Sequence, residues 1–328
     1  MATSILRSTS SRPGPPSNSG PVRASVSARP RVSMSVLAAV TDDELAEPTL
    51  AVAGVLAGQQ QPSILYVFEI QRALPEGNAL ATEIAAELGD PKIHRHEEFR
   101  IRKRLHMNAG APARWPLDLA VGDVPDAIIE AARLHRSDII LVGLHPHNII
   151  SRLIGPDTVG HLVSFSGRPV LAVRESLSAR PRRIVVGVDF TPASVRAAHL
   201  ARRLVADDGV IYLVYVRADS HRPGSDKEMA KRALEMRGIE ASFESLTREM
   251  QSRDGLTIVS ATAVGDPAEH LERFCSRADA DLLAVGSQRL RLRDRLRIGG
   301  VATSLLHHAG CSILVAPPAR PHGTTSTH

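Results

Sequence analysis

The sequence predicts an α/β protein built from two tandem, doubly wound parallel sheets. Three observations predict this. Short apolar runs alternate with segments of helical spacing, which is the pattern of βαβ units. Several runs, such as Asp138 to Gly143 and Asp281 to Gly286, end directly on glycine, as buried parallel strands often do. The pattern also repeats: DIILVGLH (Asp138 to His145) matches DLLAVGSQ (Asp281 to Gln288), AVGD at Ala120 matches AVGD at Ala263, and PVLAV at Pro169 matches SILVA at Ser312. All three pairs lie 143 residues apart, a constant offset that chance does not explain. The repeats are expected at 33–175 and 182–318, with Arg174 to Arg182 as linker.

In the first repeat, Met34 to Val40 reads as strand one, residues near Asp43 to Gly58 as a helix, and Ser63 to Ile70 as strand two. A polar, charged region, Gln71 to Pro112, follows without a clear assignment. Trp115 to Val121 is strand three, Pro125 to Leu134 a helix, and Asp138 to Gly143 strand four. Val159 to Phe165 is the last helix and Val170 to Val173 the last strand.

The second repeat is clearer. Arg182 to Phe190 reads as a buried strand ending in an acid, and Thr191-Pro192 supplies an N-cap and a first-turn proline. Val195, Ala198, Ala201, Leu204 and Val205 predict a helix to about Ala206. Val210 to Val216 is strand two. Ser225 and Glu228 suggest a capping box for a helix through Met236, with helical signal resuming over Phe243 to Met250. Leu256 to Val264 is strand three, and Asp266-Pro267 opens a helix to Ala278. Leu282 to Val285 is strand four. Val301 to His308 is a helix expected to present Val301, Leu305 and His308 on one side, and Ser312 to Ala316 is the last strand.

Composition excludes several functions. Apolar content of 43% is ordinary for a globular protein. No apolar run approaches the roughly 18 residues that would span a membrane. The two cysteines, Cys275 and Cys311, build no disulfide framework and read as core thiols. The net charge of +5 comes from residues 1–32, which hold five arginines and no acid. The remainder is formally neutral, and aromatics are only 3%, so neither a basic face nor a stacking platform argues for nucleic acid. Residues 1–32 are rich in Ser, Pro and Arg and read as a disordered tail. An organelle transit peptide shares that composition, but the prolines oppose an amphipathic helix.

The chemistry concentrates in Asp281 to Pro318. A glycine after a strand lets backbone approach a ligand, and a glycine pair opening a helix leaves N–H groups aimed at an anion. Plain turns give the same local signal. The combination IVVGVD, GDPAEHL, ADLLAVGS and GGVATSLLHHAGCSILVAP resembles the universal stress protein family, in both repeats and over nearly all of 33–318. The resemblance implies strand order 3-2-1-4-5, cytoplasmic stress-response proteins, and pairing through the last strands, either within a chain or in a homodimer. It also implies, in the nucleotide-binding branch, an acid ending strand one and a Gly-x2-Gly-x9-Gly-Ser/Thr motif after strand four. Asp189, Gly286 and Gly299 match it here, whereas Arg289 replaces the second glycine and Gly300 the hydroxyl residue. A guanidinium can itself hold phosphate, and Gly300 keeps its N–H. The expected ligand site is Val188, Asp189, Val216, Gly286, Arg289, Gly299, Gly300 and Val301, with ATP as the candidate ligand in the second repeat only. In the first repeat Thr41 stands at the acid, Pro146 at the second glycine and Pro156-Asp157 at the Gly-Ser pair, with Gly155 one residue out of register. Proline offers no N–H and Asp157 repels phosphate, so no ATP is expected there.

Arg289 to Arg297, alternating with leucines, reads as an anchored solvated loop or as a cationic lid. His145 and His147 lack further ligands at metal spacing, so no metal site is expected. His307 and His308 end a helix, where they complement its dipole. No nucleophile elbow, P-loop or HExxH occurs, and the chain is not expected to be an enzyme. The functional expectation is a stress-response protein that binds an adenine nucleotide or other anion in the second repeat and signals by conformation or dimerisation. The alternative is an interaction module that binds no nucleotide, and a slow nucleotide hydrolase ranks behind both.

Overall fold

The computed structural model describes residues 34–40, 45–69, 83–84, 86–144, 155–218, 225–251, 255–287 and 299–319. The expectations placed on the tail, Thr41, His145, Pro146, His147, Arg289 and the rest of the arginine–leucine segment lie outside the described residues. So does part of the 71–112 region. Val32–His328 forms one compact unit.

In the first repeat the elements are β1 (Val36–Val40), α1 (Ala46–Ala57), β2 (Ser63–Glu69), α2 (Pro91–Ala109), β3 (Leu117–Gly122), α3 (Val124–Leu134), β4 (Ile139–Gly143), α4 (Pro156–Ser166) and β5 (Val170–Val173). The second repeat adds β6 (Arg183–Gly187), α5 (Pro192–Leu204), β7 (Val210–Arg217), α6 (Asp226–Met250), β8 (Thr257–Val264), α7 (Pro267–Ala278), β9 (Leu282–Gly286), α8 (Gly300–His308) and β10 (Ser312–Ala316).

All ten strands form one sheet, in the order β3-β2-β1-β4-β5-β10-β9-β6-β7-β8. Within each repeat every neighbouring pair is parallel. The repeats meet at β5 and β10, which pair antiparallel with Leu171 opposite Leu314. Strands of the two repeats therefore run in opposite directions. The carboxyl ends of one half lie on the side of the amino ends of the other. The seam is dry, since every residue of β5 and β10 is buried. A fully buried Val, Leu or Ile contributes about 1.5–3 kcal/mol, so the joint is a core and not a loose contact.

Helices cover both faces. One apolar cluster joins the sheet to α1, α2, α5 and α6, and the other joins it to α3, α4, α7 and α8. Buried parallel strands account for the near-continuous apolar runs of the sequence. Their neighbours are capped locally: Asp123, Thr191, Ser225 and Asp266 each accept a backbone N–H in the first turn of the following helix.

Three expectations need correction. The polar 71–112 region contains α2, capped by Asp90 with Pro91 in its first turn and closed by Gly110 in the left-handed conformation. It buries only Ile101, Leu105 and Ala109, too thin a stripe to show among its charges. α6 runs unbroken through Gly238, which meets open space, so the expected stop near Met236 does not occur. Its buried residues, Phe243, Leu246 and Met250, lie only in its second half. On α8 the buried face is Ala302, Leu305 and Leu306; Val301 is half-buried and His308 is exposed. The Nδ1 of His308 donates to the Ser304 carbonyl at 2.9 Å, in the last turn, where a cationic group favours the helix dipole.

Candidate functional site

The site is built where β6 turns into α5. β6 ends at Gly187, and Val188 bonds the Val214 carbonyl through its N–H at 2.9 Å. Phe190 then takes a left-handed backbone, φ 59°, which is strained for a bulky residue. Its ring packs edge-on against Phe243 at 5.1 Å and beside Tyr215 at 5.9 Å, which holds the bend. The bend leaves the Asp189 carboxylate exposed at the helix entrance. There its Oδ1 accepts from the Thr191 N–H at 3.0 Å and the Thr191 hydroxyl at 2.6 Å. Burial of part of the group favours the neutral acid. Hydrogen bonds from Ser194 and Thr191 outweigh that and hold the carboxyl below its ordinary range. Asp189 is therefore an anion at neutral pH.

Gly286 ends β9 beneath α5. A Cβ on Gly286 would lie 2.4 Å from the Ser194 nitrogen and 2.6 Å from the Ala193 carbonyl carbon. Close approach is the reason for this glycine, as the sequence suggests, but the backbone that approaches is helix α5 itself. Gly187 plays a similar part against the Leu271 side chain, 2.8 Å from its would-be Cβ. Across the opening, α8 begins at Gly300 with Gly299 as N-cap. Gly299 has no side chain to cap it, and no acid stands in its first turn. Its first N–H groups thus point out of the helix without intrahelical acceptors, at the positive end of its dipole.

These parts enclose a cavity of about 290 Å³. Val188, Asp189, Val216, Gly286, Gly299, Gly300 and Val301 all line it, so the structure gathers seven of the eight expected residues. Arg289 lies outside the described residues. Reading the sequence missed Ser194, Val214, Pro267 and Leu271, which also line it. Pro267 and Leu271 stand four apart on α7, within the GDPAEHL motif, so helical spacing was the available signal. Ser194 sits three residues past the N-cap Thr191, where a first-turn polar residue is expected. The cavity has an apolar wall (Val188, Val214, Val216, Leu271), an N–H-rich end at α8, and a carboxylate at the rim. Among the described residues no three His, Cys, Asp or Glu side chains are gathered as a metal site.

The first repeat places different groups at these positions. β1 and β6 pair alike with β4 and β9, and that register sets Val40 against Val188 and Leu45 against Ala193. A Cβ on Gly143 would meet the Leu45 side chain, 2.7 Å from its Cβ and 3.1 Å from its Cδ1. A leucine therefore covers the glycine where α5 offers only alanine and serine. Gly155 is the N-cap of α4, as Gly299 is of α8. Pro156 removes one N–H there, and Asp157 puts a carboxylate in the first turn.

Comparison with known proteins agrees with this architecture. The profile of the universal stress protein family matches residues 34–174 and again residues 181–317. The chain belongs to the universal stress protein family. It is a tandem member, each half matching the family separately. A universal stress protein of Methanocaldococcus jannaschii is 27% identical over 139 residues, covering 41% of this chain and 81% of that protein. The crystal structure of a universal stress protein from Archaeoglobus fulgidus superposes with a TM-score of 0.56 at 16% identity, over 87% of this chain and 98% of that one. A structure described as a functionally unknown protein from Pseudomonas aeruginosa gives a TM-score of 0.53 at 17% identity, over 88% and 94%. At these identities the two structures show a shared fold. Among the described residues no helix is long and apolar enough to cross a membrane.

Proposed function

We propose that this universal stress protein acts in the stress response by binding an adenine nucleotide, or a ligand of similar polarity, in its second repeat alone. The observation that carries the reading is the polarity of the 290 Å³ cavity. Its uncapped α8 N-terminus suits phosphate, its valine and leucine wall suits a base, and Asp189 suits a hydroxyl or amino donor. The Asp189 carboxylate repels phosphate, so the ligand is oriented with its anionic end at Gly299 and Gly300. Occupancy would order the approach of α8 to β6 and pass to the rest of the chain by conformation or pairing.

The test is calorimetric titration of ATP into the full chain, freed of co-purified nucleotide. About one equivalent per chain is expected, and Asp189→Ala should abolish the heat while the circular dichroism stays unchanged. Two equivalents would mean that Pro156 and Asp157 do not exclude the ligand. Absence of binding at millimolar ATP would sink the nucleotide reading and leave an interaction module.

A further inference from the structure

Cys275 and Cys311 are both free thiols and both buried, at 5% and 7% exposure. Cys275 lies on α7 and Cys311 directly precedes β10. They line one cavity of about 410 Å³, together with Arg183, Glu272 and Asp279. This cavity lies at the amino ends of β6, β9 and β10, the opposite end of the repeat from the site above. Each thiol perturbs the acidity of the other, Cys275 upward and Cys311 downward. Arg174, directly after β5, bonds the Ser312 hydroxyl through its backbone N–H at 2.9 Å. Its guanidinium Nε is buried without a partner among the described residues, and its charge favours the Cys311 thiolate. Seam, thiol pair and cavity thus coincide.

We propose that Cys275 and Cys311 form a peroxide-reactive dithiol site that closes to an intramolecular disulfide. Cys311 is the attacking sulfur. Cys275, on the same cavity, is the main influence holding its pKa below the ordinary range against the opposing effect of burial, with help from Arg174 and the N–H groups of Cys311 and Leu283. Cys275 moves the opposite way, pushed far up by Cys311 and by burial, which suits a resolving thiol held protonated until needed. The Cys311 thiolate attacks one oxygen of hydrogen peroxide, the O–O bond breaks, and hydroxide leaves as water after taking a proton. The Cys275 sulfur then displaces the hydroxyl of the Cys311 sulfenic acid, and a second water leaves with the Cys275 proton. Two thiols are oxidised and one peroxide is reduced to two waters. The 410 Å³ cavity admits hydrogen peroxide to sulfurs that protein surfaces cannot reach. The bond would pin the last turns of α7 to the head of β10. Pro267 and Leu271 line the other cavity from the same helix, so the disulfide would act on both ends of it.

The experiment is intact-mass analysis of the full chain after hydrogen peroxide, with iodoacetamide added before and after reduction. The expected result is a monomer lighter by two hydrogens, with neither thiol alkylated until dithiothreitol restores both. Cys275→Ser should stop at a Cys311 sulfenic acid that dimedone traps. Cys311→Ser should slow oxidation of the remaining thiol at least tenfold. Two alkylatable thiols after peroxide, a disulfide between chains, or dimedone on Cys275 in Cys311→Ser at the wild-type rate would each overturn the proposal. The wild-type mass alone decides the first point, so the proposal does not depend on either variant folding.

Discussion

The carboxyl end of β4 and the carboxyl end of β9 are the same place in two repeats, and they are furnished differently. Both strands end on glycine, and both are followed by a helix with a glycine N-cap. At Gly143 the neighbour is the Leu45 side chain; at Gly286 it is bare helix backbone. At α4 a proline and an aspartate supply the first turn, whereas at α8 a second glycine does so. Each change at the first repeat satisfies the structure from within: a leucine fills space, and a carboxylate balances a dipole. Each corresponding choice at the second leaves a need that a ligand could meet. The fold needs the glycine; the site needs what is not placed around it.

The largest test of this contrast is a methyl group on each glycine. Gly286→Ala drives a Cβ into three backbone atoms of α5 that cannot rotate away. It should destabilise the chain by about 3 kcal/mol in urea denaturation, the upper end for overpacking. Gly143→Ala meets one residue, Leu45, at a Cβ that moves only with its backbone and at a Cδ1 that can rotate, and should cost somewhat less, about 2 kcal/mol. Equal losses would show that backbone and side-chain neighbours yield alike and would erase the distinction. Next is Thr191→Ala, which removes the side-chain cap of α5 and the hydroxyl's hydrogen bond to Asp189 while keeping the backbone one. A loss of about 1 kcal/mol is expected. α1 has no such bond to lose, because its N-cap is Leu45 without a side-chain cap. The smallest effects are at the helix entrances. Asp157→Asn should destabilise the chain by about 0.3–1 kcal/mol, by removing an acid from the first turn of α4. Gly300→Asp should leave stability level or better while removing ATP heat, which would separate the needs of the fold from those of the site.

Much of this was legible in the sequence because buried parallel strands and capped helices write themselves locally. Asp123, Thr191, Ser225 and Asp266 mark helix starts wherever they stand. α2 was not legible because Ile101, Leu105 and Ala109 are a narrow stripe among arginines, histidines and glutamates. The continuity of α6 was hidden for a related reason: its first half buries nothing that would set a period. The site was read through residues that break a pattern, such as glycines and an acid after a strand. Leu271, Val214 and Ser194 obey their patterns, so only the sheet topology shows them meeting across β6 and β7. The meeting of Cys275 and Cys311 on one cavity was equally silent, because it joins two elements separated by β9 and α8.

The ladder between β5 and β10 also governs symmetry. Two copies of a single-repeat chain paired along this edge would obey a two-fold axis, and each substitution would appear twice. Their union would also follow mass action and weaken on dilution. Tethering makes the same pairing unimolecular, so it holds at any concentration. It also frees each half from copying the other: Pro156 and Asp157 stand in one without disturbing Gly299 and Gly300 in the other. One polypeptide can therefore furnish two equivalent crevices differently at opposite ends of a single sheet, in a fixed ratio of one to one.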